Sequence, residues 1–171
     1  WLVDPLDGTK EFIKRNGQFT VNIGLCDYGV PVFGIVGIPV SGEIYYGIKD
    51  IGSYKIESNN KTIPLVINPK DFFISGIRLV ASASHQNQET VNYIERFRSP
   101  QIINIGSSIK FLLIAEGKAD IYPRLGPTSE WDTCASHAII KYAGGHVLTV
   151  TNCQELTYNK ENLLNPYFIV H

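Results

Sequence analysis

At 171 residues, with 44% apolar and 18% charged side chains, the chain can bury a sizeable core; its net charge of −1 gives no electrostatic case for binding a nucleic-acid backbone. The three cysteines, Cys26, Cys134 and Cys153, are widely spaced and in no CxxC or Cys/His ligand pattern, which fits a reducing compartment better than a disulfide framework. No apolar run approaches the ~18 residues of a membrane span and no signal peptide is visible, so a soluble cytosolic protein is expected; the lack of any Met adds the expectation that it is not a whole one.

Trp1-Leu2-Val3 reads as the end of a buried strand, with Asp4 where that strand leaves the core. Residues 16–67 read as an antiparallel meander. Phe19, Val21, Ile23 and Leu25 alternate with Thr20, Asn22 and Gly24, the period of a strand with one buried face. Turns at Asp27-Tyr28-Gly29, Ser41-Gly42, Asp50-Ile51-Gly52 and Ser58-Asn59-Asn60 separate Val32–Ile38, Ile44–Ile48, Tyr54–Ile56 and Ile63–Val66. Asn68-Pro69-Lys70-Asp71 looks like a connector. From about Ser75 strands alternate with helices: strand Ile77–Ala81, helix Glu89–Phe97, strand Ile102–Ile105, helix Ile109–Glu116, strand Ala119–Tyr122, helix Trp131–Tyr142, then strands Val147–Val150 and Tyr167–Val170. The expected architecture is an α+β or α/β layered sandwich, an antiparallel part over 1–74 followed by a mixed α/β part over 75–171.

Three stretches can carry chemistry. In Asp4-Pro5-Leu6-Asp7-Gly8-Thr9 a rigid proline turn can aim two carboxylates and the Leu6 carbonyl at one point, the oxygen donors that Mg²⁺ prefers. The Gly8 and Thr9 amides, at a helix start, can receive a phosphate. An acidic turn with Asp as cap is the plain alternative. In Ser129-Glu130-Trp131-Asp132 the spacing is that of a capping box, yet Asp132 could equally point from the helix start towards the same metals. Gly106-Ser107-Ser108-Ile109-Lys110 is a strand-to-helix junction, either a cap with a solvated Lys or an anion site. His85 follows a strand's C-terminal end, and Arg124 follows Tyr122-Pro123 and could fork onto a phosphate. His137, His146 and His171 have no such context.

DPLDGT followed by WDTCA resembles the inositol monophosphatase superfamily of Mg²⁺-dependent, lithium-sensitive phosphatases. The fuller strings DGTKEF, ASASH, GSSIKF, YPR and LLNPYFIVH look like its bacterial 3′(2′),5′-bisphosphate nucleotidase branch, and the resemblance covers essentially the whole chain. It implies two or three Mg²⁺ ions, with Asp4 bridging two of them, the Leu6 carbonyl ligating one, and Asp7 and Asp132 the other. Gly8 and Thr9 would receive the scissile phosphate, with the Thr9 hydroxyl orienting the attacking water. His85, Ser107, Lys110 and Arg124 would hold the nucleotide and its second phosphate. The implied reaction takes the 3′-phosphate from adenosine 3′,5′-bisphosphate, giving AMP, in the cytoplasm and in connection with sulfur assimilation; association with the cytoplasmic face of the inner membrane is left open. Inositol-1-phosphate hydrolysis ranks second. Cys134 and Ser136 stand where the family commonly has Ala and Gly, small swaps expected to be tolerated. The family also takes a Glu-Glu ligand, a water-orienting Asp and its opening helices from ahead of DPLDGT. The expectation is therefore a chain inactive alone or a non-catalytic remnant, with an apolar sheet surface and an unpaired edge exposed, and a complementing N-terminal segment as partner.

Overall fold

The computed structural model describes residues 1–68, 76–82 and 87–171. Strand β1 (Leu2–Asp7) is followed by one turn of helix, α1 (Thr9–Ile13). The meander forms as its turn signals predict: β2 (Thr20–Asp27), β3 (Val30–Ile38), β4 (Glu43–Ile48), β5 (Gly52–Ile56) and β6 (Thr62–Leu65). With β1 they make a six-stranded antiparallel sheet in sequence order. Tyr28 and Gly29 both take positive φ, 47° and 81°, which closes the β2–β3 hairpin with the twist the strands require.

The second half alternates as expected, with shifted ends. Strand β7 (Arg78–Ser82) pairs in parallel with β8 (Gln101–Ile105), and α2 (Gln88–Ile94) runs between them. Helix α3 (Ile109–Ala115) precedes β9 (Tyr122–Arg124), a strand that starts later than Ala119. Helix α4 (Glu130–Tyr142) is followed by β10 (Val147–Thr149) and β11 (Phe168–Val170), which pairs with both β10 and β9. A parallel bridge between Leu79 and Ile121, with Val80 N donating to Ile121 O at 2.8 Å, links β7 to the segment entering β9. The layers are therefore sheet, then α3 and α4, then a second, mixed set of strands, with α2 outside it. Val36, Tyr45, Phe111, Leu112, Ile139, Ile140 and Phe168 join the first two gaps into one core. Ile77, Leu79, Ile94 and Ile121 form a smaller core under α2. No helix among the described residues is long and apolar enough to cross a membrane.

At β2 the meander's buried face is not the apolar one. In β2 it is Thr20, Asn22 and Gly24 that are buried, while Val21, Ile23 and Leu25 are only half-buried. The registers carry this across the sheet: Gly24 faces Gly34, and Gly34 faces Gly47, on the side where α4 packs. A Cβ at Gly47 would stand 2.6 Å from the Ala138 carbonyl, one at Gly24 2.7 Å from Cys134 Sγ, and one at Gly34 would overlap the Ala135 carbonyl. The sheet takes the helix at backbone distance only because these positions lack side chains. Cys134 Sγ lies in the groove that Gly24 leaves. On the other face Val3, Ile23, Ile35, Ile44, Tyr46 and Tyr54 have no cover among the described residues; Val3 is 51% exposed, and Trp1, edge-on to Phe33, is 73% exposed. The expected apolar exposure is present, and it is a whole sheet face.

Candidate active site

Asp4 and Asp7 belong to strand β1, not to a turn beyond it. Three positions apart on a regular strand, they would point to opposite faces. A register shift removes the conflict: Asp4 pairs with Asn22 and Asp7 with Thr20, so three steps on β1 match two on β2. The extra residue lies at Pro5-Leu6, where the missing proline N–H makes the loss of a ladder bond cheap. Both carboxylates thereby reach the side covered by α4, whose first turn brings Asp132. One oxygen from each of Asp4, Asp7 and Asp132 lies within 4.8 Å of the others.

Each carboxylate is held by one of its oxygens. Asp4 Oδ1 accepts from the Leu6 amide at 3.0 Å. Asp132 Oδ2 accepts from the Ser129 amide at 2.8 Å in a capping box, so capping and clustering coexist in one side chain. Asp7 Oδ2 takes the Ser108 amide at 2.6 Å, with the Thr20 hydroxyl at 3.3 Å and Asn22 Nδ2 at 3.4 Å. The Ser108 hydroxyl donates to Asn22 Oδ1 at 2.8 Å, locking that group in the core. The junction before α3 was read as either a cap with a solvated Lys or an anion site; its Ser108 amide serves Asp7 instead, no side chain caps α3, and Lys110 is buried rather than solvated.

Burial pushes the Asp132 carboxyl up to about 6, and the charges of Asp7 and Asp4 add to the rise against the Ser129 amide. Asp7 is also raised by burial, against the pull of Lys110 and the Ser108 amide. Lys110, 7% exposed, is pushed down to about 8, again by burial before anything else. Its Nζ donates to Ser107 O at 2.6 Å and lies 5.5 Å from the centre of the Tyr122 ring. The cluster thus holds Asp7 and Asp132 where burial, more than their mutual repulsion, disfavours their charged forms. That donor set of crowded, half-buried oxygens fits a hard divalent cation.

A cavity of about 220 Å³ opens beside the carboxylates, and Asp7, Gly8, Thr9, Ser107, Lys110, Arg124 and Asp132 all line it. Gly8, at φ 91°, lets the chain turn there with Gln18 and Ser107 close by. Thr9 Oγ1 stands 3.5 Å from the Leu6 carbonyl. Arg124 Nη2 donates to the Pro127 carbonyl at 2.7 Å, which aims the guanidinium along the cavity wall. His85 lies outside the described residues. Sequence reasoning missed Thr20, Asn22 and Ser108 behind Asp7, and Glu11 and Tyr122 in the cavity wall. Polar residues at alternate positions of an apolar strand were the available signal for the first two. A larger cavity of about 670 Å³ lies elsewhere, against Tyr93, Leu125, Leu148 and Tyr167, with Glu89 the one carboxylate among its described lining residues.

A layered β/α/β fold with clustered carboxylates beside a cavity that also carries Lys110 and Arg124 fits a phosphate-handling enzyme. Residues 1–167 match the Inositol monophosphatase family, and the chain belongs to it. It is 46% identical to the 3′(2′),5′-bisphosphate nucleotidase CysQ of Salmonella typhimurium, over 99% of this chain and 67% of that protein. Identity to the Escherichia coli K12 counterpart is 44% with the same coverage. CysQ of Bacteroides thetaiotaomicron superimposes with a TM-score of 0.89 at 45% identity, over 99% of this chain and 68% of that one. SuhB of Mycobacterium tuberculosis shares the fold, with a TM-score of 0.77 at 22% identity. The chain spans about two thirds of the length of these relatives.

Proposed function

We propose that the chain carries the metal and phosphate site of a Mg²⁺-dependent 3′(2′),5′-bisphosphate nucleotidase that converts adenosine 3′,5′-bisphosphate to AMP. The observation that carries this reading is the convergence of Asp4, Asp7 and Asp132 beside a cavity lined by Gly8, Thr9, Ser107, Lys110 and Arg124. In this reading Asp4, Asp7, Asp132 and the Leu6 carbonyl would hold Mg²⁺ as this chain's share of its ligands. Mg²⁺ there supplies Lewis acidity to the phosphate oxygens and to the attacking water. Gly8 and Thr9 seat the scissile phosphate, and the Thr9 hydroxyl orients the water towards phosphorus. Lys110 and Arg124, with Ser107 and His85, hold the second phosphate and the nucleoside. A phosphate with two cations beside it suits a bisphosphorylated substrate better than a neutral polyol carrying one phosphate. The division into residues 1–74 and 75–171 sets the site at the junction, Asp4 and Asp7 from the first part and Asp132 from the second.

Turnover in this reading also needs acidic ligands beyond residues 1–171, from a complementing segment that covers the open sheet face. The aliphatic face, without cover among the described residues, supports such a covering segment. The free thiols of Cys26, Cys134 and Cys153 suit a cytoplasmic setting. The test is phosphate release from adenosine 3′,5′-bisphosphate with Mg²⁺, by the chain alone and with such a segment, with Li⁺ as inhibitor. The expected result is release only by the completed protein, blocked by Li⁺. Preference of that protein for inositol 1-phosphate would overturn the substrate, and full-rate turnover by the chain alone would overturn the need for further acids.

A further inference from the structure

We propose that Asn165 is a positioning residue for Asp132: it fixes the start of α4 so that the Asp132 carboxylate meets Asp4 and Asp7. The inference rests on the metal reading above and adds a residue to it. The segment Leu163-Leu164-Asn165 lies antiparallel against Thr128-Ser129-Glu130, with a bridge between Leu164 and Ser129. Glu130 N donates to Leu163 O at 2.9 Å, and Asn165 N donates to Thr128 O at 2.8 Å. Apolar burial does not hold this segment down, because Leu163 and Leu164 are 41% and 54% exposed. The fastening is polar and centres on Asn165, which is 7% exposed. Its Nδ2 reaches Ser129 O at 2.9 Å, Thr133 Oγ1 at 3.0 Å and Thr128 Oγ1 at 3.1 Å.

One amide group therefore ties the residue before α4, the cap residue and the first turn together. The Ser129 amide in turn holds Asp132 Oδ2 at 2.8 Å. Displacing Ser129 displaces the carboxylate, and a shift of an ångström at a metal ligand weakens binding strongly. The chemistry also demands an amide. The two hydroxyls could reverse their roles, but the Ser129 carbonyl only accepts, so a carboxylate at position 165 would set oxygen against oxygen in a buried place.

The experiment titrates the 171-residue chain with Mn²⁺ and follows the free-ion EPR signal, which requires no turnover. Wild type, Asn165→Asp, Thr133→Val and Val147→Ala are compared, with the Tm of each measured in parallel. Val147 is buried in β10 away from the carboxylates and serves as the control for general loosening. Asn165→Asp is expected to raise the Mn²⁺ dissociation constant ~10-fold, and Thr133→Val, which removes one acceptor, ~2-fold. Val147→Ala should lower Tm and leave the affinity unchanged. Equal affinity in wild type and Asn165→Asp overturns the proposal, as does a loss in Val147→Ala that matches Asn165→Asp at the same Tm. Should Asn165→Asp not fold, unchanged affinity in Thr133→Val overturns it. Absence of saturable binding by wild type sinks the metal reading itself, a failure distinguishable from the others.

Discussion

At β2 the face of the sheet turned to α4 is glycine, hydroxyl and amide, joined further along by Val36, Ile38, Tyr45 and Leu65, and it is buried; the other is aliphatic and aromatic, and it has no cover among the described residues. The difference shows what decides burial in this fold. Helix α4 approaches where Gly24, Gly34 and Gly47 leave room for its backbone, and polar groups on that side are accepted because they find partners. Thr20 and Asn22 support Asp7, and Ser53 Oγ donates to the Ile139 carbonyl at 2.7 Å. The open face has the stronger apolar pattern and lacks a partner layer among the described residues. Pattern fixes which residues share a face; close approach fixes which face is inside.

The sharpest way to break this comparison is to add one methyl to each face. Gly34→Ala sets a Cβ into the Ala135 carbonyl and is expected to cost more than about 3 kcal/mol, enough to abolish a cooperative urea transition. Gly37→Ala, on the open face with nothing within 4 Å, should stay within ~0.5 kcal/mol of wild type in the same titration. Next in size is the buried charge network on the α4 side. Lys55 Nζ lies 2.5 Å from Glu43 and 2.6 Å from Glu116, and Tyr45 donates to the same Glu116 at 2.9 Å. Lys55→Met is expected to destabilise by ~3 kcal/mol in chemical denaturation, and adding Glu116→Gln should return part of the loss.

The third prediction concerns the carboxylates at the start of α4 and reverses the usual direction. Folding raises the Asp132 carboxyl to about 6, so the fold favours its protonated form. That contribution is fully present below the ordinary carboxylate range, ~4, and is lost as pH rises through 6. Without metal, Asp132→Asn should therefore raise Tm at pH 7 by ~2–4 °C and leave it unchanged near pH 4, since Asn still accepts from the Ser129 amide. Mg²⁺ should raise the Tm of wild type and not of the variant. The smallest effect belongs to the open face: Val3→Ser with Ile44→Thr should cost less than ~1 kcal/mol and reduce self-association in sedimentation. A large loss of stability there would mean that the face is already packed.

Much of the site was legible because it is local. Asp4, Asp7, Gly8 and Thr9 lie in one six-residue string, and Asp132, Ser107, Lys110 and Arg124 each sit at the end of a recognisable element. What the string hid was the bulge at Pro5-Leu6, a feature of pairing with β2 and so of another segment. The same holds for Asp132, where capping and metal binding looked like rivals. One carboxylate both accepts from the Ser129 amide and clusters with Asp4 and Asp7. Thr20, Asn22 and Asn165 escaped notice because their importance depends on the partners 13 to 88 residues away that their side chains meet.

By itself the sequence determined the antiparallel meander, the change to alternating strands and helices, the family, and the acidic and cationic residues of the site. The elements follow from short-range periodicity and turn chemistry, and the family and its site residues from the resemblance of the motif strings. Only the tertiary structure decided which face of the meander lies inside, that Asp4 and Asp7 point the same way, and that the amide at the start of α3 serves a carboxylate. Each of these depends on how closely two distant backbones can approach, a distance set by packing and by no single segment.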